Sequence, residues 1–432
     1  MLATLKNAIK NPELRKKLLF TLFIVLIYRL GGYIPVPFVD AAKLNIASQG
    51  NNIFAYLNVL SGGTFSKATL LCLSISPYIN AQIIIQLLTF AIPWLEKKSK
   101  EGEAGRAWID NLTKISTIAI AAFQGYAYFI TLKNQGAVIY NTGLGLWVSG
   151  IVIVACFTAG AMLVIWLGSK IDKHGIGNGI SILLFAGIVA NMPQSFGATF
   201  IELANTGSIG YIILIPIVII IFIVMIGFII FMDNAERRIP IQYAKRVVGR
   251  KVYGGQSTYL PIKVAMAGVL PIIFAMSFMS LPQTIGMFIY GENLPTTGFW
   301  GGFFNLFGYT HPVYVILYFV LIIAFSYFYV TIQYNPVEIA NNLRNNNGGI
   351  PGLRPGKPTS DYITRVLSKL ILVGALFLGV IAVLPNIFAA ATGVGSLALG
   401  GTSVLIVVNV ALDTVRQIES QLMMRHHKGF LE

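Results

Sequence analysis

Ten separate runs of apolar residues, each near membrane-crossing length, recur along the 432 residues of this chain. A helix needs roughly 20 such residues to traverse a hydrocarbon core. The runs lie at about 18–36, 68–92, 115–133, 147–168, 178–192, 210–232, 262–281, 312–333, 366–384 and 396–414. Lipid offers no water to bond backbone N–H and C=O groups, so such runs close those bonds within helices. Charged residues make up 11% of the chain, against roughly 25% in an ordinary soluble domain. That scarcity excludes a soluble globular enzyme and a disordered chain. The expected class is an all-α polytopic membrane protein. Its basic start, with Lys6, Lys10, Arg15, Lys16 and Lys17, is followed by no small-residue cleavage site, so the first run reads as a retained helix. Pro77, Pro216 and Pro271 fall inside runs, where neighbouring helices can satisfy the freed carbonyls.

Loop charges set the sidedness. With the N-terminus inside and ten alternating spans, the inner segments collect 27 of the 31 Lys and Arg residues. The outer loops keep Lys43, Lys67 and Lys133 against Asp40, Glu202 and Glu292. This positive-inside pattern places both termini in the cytoplasm. Two inner loops, 233–261 and 334–365, are long, as are two outer ones at about 37–67 and 282–311. Divided between spans five and six, each half has a long loop after its first span and another after its second, on exchanged faces. That is an inverted repeat, which places a functional site near mid-membrane between the halves. The expected organisation is a cytoplasmic segment 1–17, a half of five spans at 18–192, an external hinge loop 193–209, a second half at 210–414 and a cytoplasmic tail 415–432.

The spans hold almost no chemistry. Arg29 is the one charged residue at depth, near the outer end of its span, where a long side chain can snorkel to the interface. His174, His311, His426 and His427 lie in loops or at span ends, and no Asp or Glu sits centrally in a span. Cys72 and Cys156 provide neither a disulfide framework nor a zinc spacing. No nucleotide-binding, zinc-protease or nucleophile-elbow motif is present. An enzyme is therefore not expected. A small-solute transporter with inverted repeats would need a coupling residue at mid-depth.

Residues 53–67 are apolar but too short to span. Ile53, Tyr56, Leu57 and Leu60 share one helical face, and Gly62-Gly63 then break the helix. A re-entrant helix buried in protein and an amphipathic helix on the outer surface both fit. The two basic inner loops exceed what orientation requires, so they suggest docking surfaces for an acidic or RNA-rich partner. In the bend Gly352-Leu353-Arg354-Pro355-Gly356-Lys357-Pro358 the prolines rule out a helix. Arg354 would point outward there, or tie down its own loop through a carbonyl.

Several strings now converge: Pro77-Tyr78-Ile79 running into Ile83-Ile84-Ile85-Gln86-Leu87-Leu88; Gly175-Ile176-Gly177-Asn178-Gly179-Ile180-Ser181; Tyr243-Ala244-Lys245-Arg246, then Gly249-Arg250-Lys251-Val252-Tyr253; Gln256-Ser257-Thr258 before Leu260-Pro261; Gly352-Leu353-Arg354-Pro355-Gly356; and Gly400-Gly401-Thr402-Ser403. In this order and on these spans and loops, the chain resembles the SecY family over essentially its whole length. The resemblance implies two pseudo-symmetric halves clamped around an hourglass pore, with 53–67 as a plug helix that includes Gly62 and Gly63. It places the pore ring on Ile75, Ile79, Ile180, Leu184, Ile273 and Ile406, aliphatics that composition alone would turn toward lipid or neighbouring helices. It implies a lateral gate between spans two and three on one side and seven and eight on the other. It puts motor or ribosome docking on Arg238, Lys245, Arg246, Arg250, Lys251, Arg344 and Arg354. The function implied is a protein-conducting channel of the bacterial plasma membrane, passing unfolded signal-sequence-bearing polypeptides outward and membrane segments sideways into lipid. Its implied partners are the small membrane subunits SecE and SecG, the SecA motor and the ribosome, with no cofactor. A flexible aliphatic ring suits this work, since it blocks ions by dewetting yet yields around a passing chain.

Overall fold

The computed structural model describes residues 9–44, 58, 61–140, 142–205, 209–243, 246–248, 251–253, 257–290, 295, 298–308, 311–392 and 396–426. Ten long helices fall on the ten apolar runs. They are α1 (Pro12–Gly31), α2 (Ser76–Ala91), α4 (Glu103–Asn134), α5 (Gly143–His174), α6 (Gly179–Asn205), α7 (Ile209–Asn234), α8 (Leu270–Tyr290), α10 (Pro312–Gln333), α12 (Lys357–Thr392) and α13 (Ser396–His426). Three short helices intervene: α3 (Pro93–Ser99), α9 (Gly298–Leu306) and α11 (Pro336–Asn345). Local signals set several starts. Asn11 caps α1 by accepting from the Glu13 N–H at 3.2 Å. Asn335 caps α11 in the same way, with Pro336 in its first turn. Among the described residues, five helical segments are individually long and apolar enough to cross a membrane, and α2 with α3 forms a sixth unit bent by 107°.

Two spans begin later than their apolar runs suggest. Residues 68–75 and 264–269 are turns, and helix starts only at Ser76 and Leu270. Pro77 and Pro271 are therefore first-turn residues rather than interior ones. A proline's missing N–H costs nothing in the first turn, but its ring clashes with any helix continued upstream. The non-helical leaders stay buried: Ala68, Leu71, Cys72 and Ile75 in one, Ala265, Met266, Ala267 and Val269 in the other. Irregular backbone at membrane depth is tolerated where protein covers it. Pro216 is interior to α7, as are Pro193, Pro282 and Pro385 to α6, α8 and α12.

Helix contacts repeat between the halves. In the first half α2 packs on α4, α4 on α5, α5 on α6 and α1 on α6. In the second half α8 packs on α10, α10 on α12, α12 on α13 and α7 on α13. The halves meet along two seams: α8 against α2 and α4 on one side, and α6 against α13 and α7 on the other. A large apolar core lies between them, drawing on α1, α2, α5, α6, α7, α8, α10, α12 and α13.

The two long basic loops are not irregular. Strands β1 (Glu236–Tyr243) and β4 (Ser257–Lys263) form an antiparallel hairpin, with the short pair β2 (Arg246–Val248) and β3 (Lys251–Tyr253) inside it. Strand β5 (Gly348–Gly349), from the second loop, adds to β1 through Gln242 and Tyr243. Alternation explains the hairpin: Ile239 and Ile241 are buried while Arg238, Pro240 and Gln242 face out. The buried side joins Ile262, Leu343, Ile350, Ile363 and Leu367 in a separate core beneath α10 and α12. The bend at 350–356 also ends earlier than expected. Helix α12 begins at Lys357 with Pro358 in its first turn, where proline is accepted.

Candidate channel axis and docking face

The six aliphatic residues expected to form a ring all belong to, or border, the central core. Ile75, Ile79, Leu184, Ile273 and Ile406 are buried in the central core, and Ile180 packs against it half-buried. They sit on α2, α6, α8 and α13, with Ile75 capping α2. These four helices build the two inter-half seams, and they are equivalent in pairs between the halves. Apolar side chains on the outer faces of the helices are exposed, such as Ile223 on α7 at 63% and Ile316 on α10 at 64%. The six residues thus face protein, not lipid.

Of the segment expected to plug the channel, Ile53, Tyr56, Leu57 and Leu60 lie outside the described residues. Its glycine-broken end is described, and it is buried: Ser61, Thr64 and Phe65 are almost fully enclosed. Asn58 organises the turn. Its carbonyl accepts from the Gly63 N–H at 2.8 Å, and its Oδ1 accepts from the Ser66 N–H at 3.0 Å. Phe65 stacks on Tyr128 of α4 with ring centroids 4.4 Å apart, and the Tyr128 hydroxyl donates to the Phe65 carbonyl at 2.6 Å. This end is therefore held inside the bundle rather than on its surface.

Arg29 is likewise not free to snorkel. It is half-buried, and its Nη1 donates to the Gly62 carbonyl at 3.4 Å. Gly62 has φ +70°, and a Cβ there would meet Arg29 Nη1 at 2.6 Å and the Gly187 carbonyl oxygen at 2.7 Å. Gly62→Ala therefore combines left-handed strain of about 1 kcal/mol with displacement of this turn from α1 and α6. We expect raised resting ion conductance of the reconstituted protein. Gly136→Ala carries the same kind of strain at φ +66°, with nothing within 4 Å, and should leave conductance unchanged.

The residues expected to dock a partner are described in part. Arg354 is exposed, and among the described residues its guanidinium has no bond or ion pair, so it does not tie down its own loop. Its backbone is pinned instead: its carbonyl accepts from Thr359 Oγ1 at 2.9 Å, and the Leu353 N–H donates to Ile350 at 3.1 Å. Arg238 is paired with Glu236 at 2.6 Å on β1. Arg344 is exposed in the last turn of α11. Arg246 and Lys251 belong to the β2–β3 pair, and only their backbones are described; Lys245 and Arg250 lie outside the described residues.

A family model described as SecY matches residues 69–415. The chain belongs to the SecY family. It is 42% identical to the protein translocase subunit SecY of Thermus thermophilus, covering all of this chain and 98% of that one. It is 43% identical to the subunit of the same name from Streptomyces coelicolor over the full length of both. Among solved structures, a protein-conducting channel superposes with TM-score 0.66 at 21% identity, covering 94% of this chain and 92% of the other. A second match, also at 0.66 and 21%, comes from work on how the SecY plug domain stabilises the closed channel and maintains a membrane seal. Sec61 in a canine ribosome–channel complex matches at 0.62 and 19% identity, covering 94% and 92%. The SecY-family fold is thus that of a multi-pass, mainly helical membrane channel.

Three features of this SecY-family chain escape sequence reasoning. Arg416 of α13 forms an ion pair with Asp233 of α7 at 2.7 Å and donates to the Asp233 carbonyl at 2.8 Å and Asn234 Oδ1 at 2.9 Å. Helix α13 runs to His426, well past its apolar stretch. Its extension packs Ile418 on Leu14 and Ile176, and Gln417 Oε1 accepts from the Gly177 N–H at 2.8 Å. The end of α13 thus bolts the last helix to the first half.

Proposed function

We propose that this chain is the channel core of a bacterial plasma-membrane protein translocase, with both termini cytoplasmic. It passes unfolded polypeptides along the axis between its halves and releases apolar segments sideways. The observation that carries this reading is the distribution of the six aliphatics over the four helices that join the halves. Separation of either seam would widen the ring they form. Residues 53–67 act as the plug, latched by Arg29 and Tyr128. SecA or a ribosome docks on the face built from both inner loops, and single-span SecE and SecG cover apolar outer faces. A solute transporter would need an ionisable coupling group at depth, whereas Arg29 is engaged with the plug turn.

The two seams differ in chemistry, which favours one as the gate. At the α6–α13 side, Gly177 bonds Gln417, Lys17 Nζ donates to Gln421 at 3.4 Å, and Leu14, Ile176 and Ile418 interlock. At the α2–α8 side the contacts are apolar: Ile79 and Ile83 share the core with Ile272 and Ile273, and Phe90 meets Phe328 of α10 edge-on at 5.6 Å. Parting apolar faces inside a bilayer costs little, because lipid replaces the lost contacts. With cysteines at Phe90 and Phe328, a short reducible thiol cross-linker should block insertion and export of a signal-sequence-bearing precursor, and reduction should restore both. Full activity of the bridged protein would move the gate elsewhere. Bridging cysteines at Leu18 and Leu422, on the bolted seam, should leave export intact.

A further inference from the structure

Helix α7 ends on a carboxylate just before the chain enters β1. Asp233 sits in the last turn of α7 and is buried. A negative charge is disfavoured at a helix C-terminus, and a buried one is costly unless paired. Arg416 of α13 meets both needs. Its Nη1 lies 2.7 Å from Asp233 Oδ2, and its Nη2 donates to the Asp233 carbonyl at 2.8 Å and to Asn234 Oδ1 at 2.9 Å. A planar guanidinium has the donors to hold three acceptors at once, which a lysine ammonium cannot match in geometry. The next residue, Ala235, accepts from the Val264 N–H at 2.9 Å, and Glu236 pairs with Lys263. Arg416 therefore fixes the root of the β1–β4 hairpin.

The same turn of α13 grips the other half. Successive residues of a helix point about 100° apart, so Gln417 and Ile418 meet different neighbours from Arg416. Gln417 Oε1 accepts from the Gly177 N–H, and Ile418 packs on Leu14 and Ile176. The approach is close: Gly177 has φ +88°, and a Cβ there would meet Ile182 Cδ1 at 2.4 Å and Thr414 Oγ1 at 3.4 Å. Beyond Gly177, Asn178 caps α6. Its Oδ1 accepts from the Ser181 N–H at 3.1 Å, and its carbonyl accepts from the Ile182 N–H at 2.9 Å. Ile180 and Leu184 lie in the first two turns of α6. We propose that Arg416 is a positioning residue that couples the docking hairpin to the pore ring. This rests on the docking and ring readings given above. A push on β1 and β4 displaces Asp233, and the ion pair carries the displacement into α13. Residues 416–418 pass it to Gly177 and so to the start of α6. Chains of hydrogen bonds and rigid helices are the means by which such coupling travels.

The test records motor-evoked ion conductance of the complete translocase complex in planar bilayers, with motor affinity measured on the same preparations. Motor binding should raise the conductance of the native channel. In Arg416→Gln the affinity should stay, because the docking surface is untouched. The motor-evoked rise should fall by at least about fivefold, the lower end of common inter-site couplings. Arg416→Lys should keep part of the response, since charge returns without the fork. Gln417→Leu cuts the path at its other end, leaves the ion pair alone and should give the same phenotype. Arg416→Gln/Gln417→Leu should be no worse than either single variant, because links in series do not add. Lys114→Gln removes a comparably short ion pair, with Asp110 of α4, and should respond as the native channel does. A full response in Arg416→Gln or in Gln417→Leu would overturn the coupling. Additive losses in the double variant would also overturn it, by marking two independent structural supports. Lost motor affinity in Arg416→Gln would reduce Arg416 to a support of the docking face. Motor binding to the native channel with no rise in conductance would remove the coupling while leaving the docking reading in place. A native channel that binds no motor would sink the docking reading, and the coupling with it.

Discussion

We expect Arg354→Glu to abolish motor-driven export while leaving the protein folded and inserted. The reason lies in how the residue is presented. Gly352 at φ +83° and Gly356 at φ +103° flank it, and Leu353 and Ile350 anchor the bend into the core under β1 and α11. Thr359 holds the Arg354 carbonyl. The backbone is thus fixed from below, and among the described residues the guanidinium has no partner. Arginine grips a carboxylate or phosphate through two parallel hydrogen bonds, whereas lysine offers a point charge. Removing one partner of a hydrogen-bonded charge pair costs about 2–5 kcal/mol, so export should fall by at least about thirtyfold. Arg354→Lys should recover part of it, and motor binding should weaken with salt. The measurement is translocation of a secretory precursor into vesicles holding each variant at matched abundance. Full activity of the Glu variant would leave Arg354 as an ordinary loop residue. Arg238 makes a useful comparison, because Glu236 already engages it at 2.6 Å; its substitution should matter less.

Asparagine in place of Ile75, Ile273 or Ile406 should make the resting channel leak ions. Each of these side chains is almost fully buried at the meeting of the halves. Burial of one such aliphatic is worth about 1.5–3 kcal/mol. An amide there holds water, lowering the dewetting barrier by an amount that corresponds to roughly tenfold in conductance. Planar-bilayer recordings without a motor would read this directly. Ile223→Asn on α7 and Ile316→Asn on α10 are the controls, since both face outward. If the two sets conduct alike, the six residues are ordinary helix-packing contacts.

Some of the architecture is legible because the bilayer imposes it. Ten apolar runs became ten helices, since a backbone in lipid has few other ways to satisfy its bonds. Loop lengths exposed the inverted repeat, and the paired contacts α2–α4 with α8–α10 and α1–α6 with α7–α13 follow it. The late helix starts were readable in principle: Pro77 and Pro271 announce them, but hydropathy registers solubility in lipid, not helicity. The β1–β4 hairpin also has a sequence signal, in the alternation Ile239, Ile241 and Leu260, Ile262. High charge and flanking glycines masked it as loop.

By itself, the sequence determined the class, the number of apolar runs and the likeness to one family, because hydropathy and charge act locally and additively. It could not determine partners across long separations. Arg29 with Gly62, Tyr128 with Phe65, Arg416 with Asp233, and Gln417 with Gly177 are each single polar encounters between distant segments. No periodicity encodes them, and each depends on helix rotation and tilt set by side-chain packing of the whole bundle. The same holds for the difference between the bolted and the apolar seam. Helices of similar composition build both, and only the tertiary structure decides which faces meet across which seam.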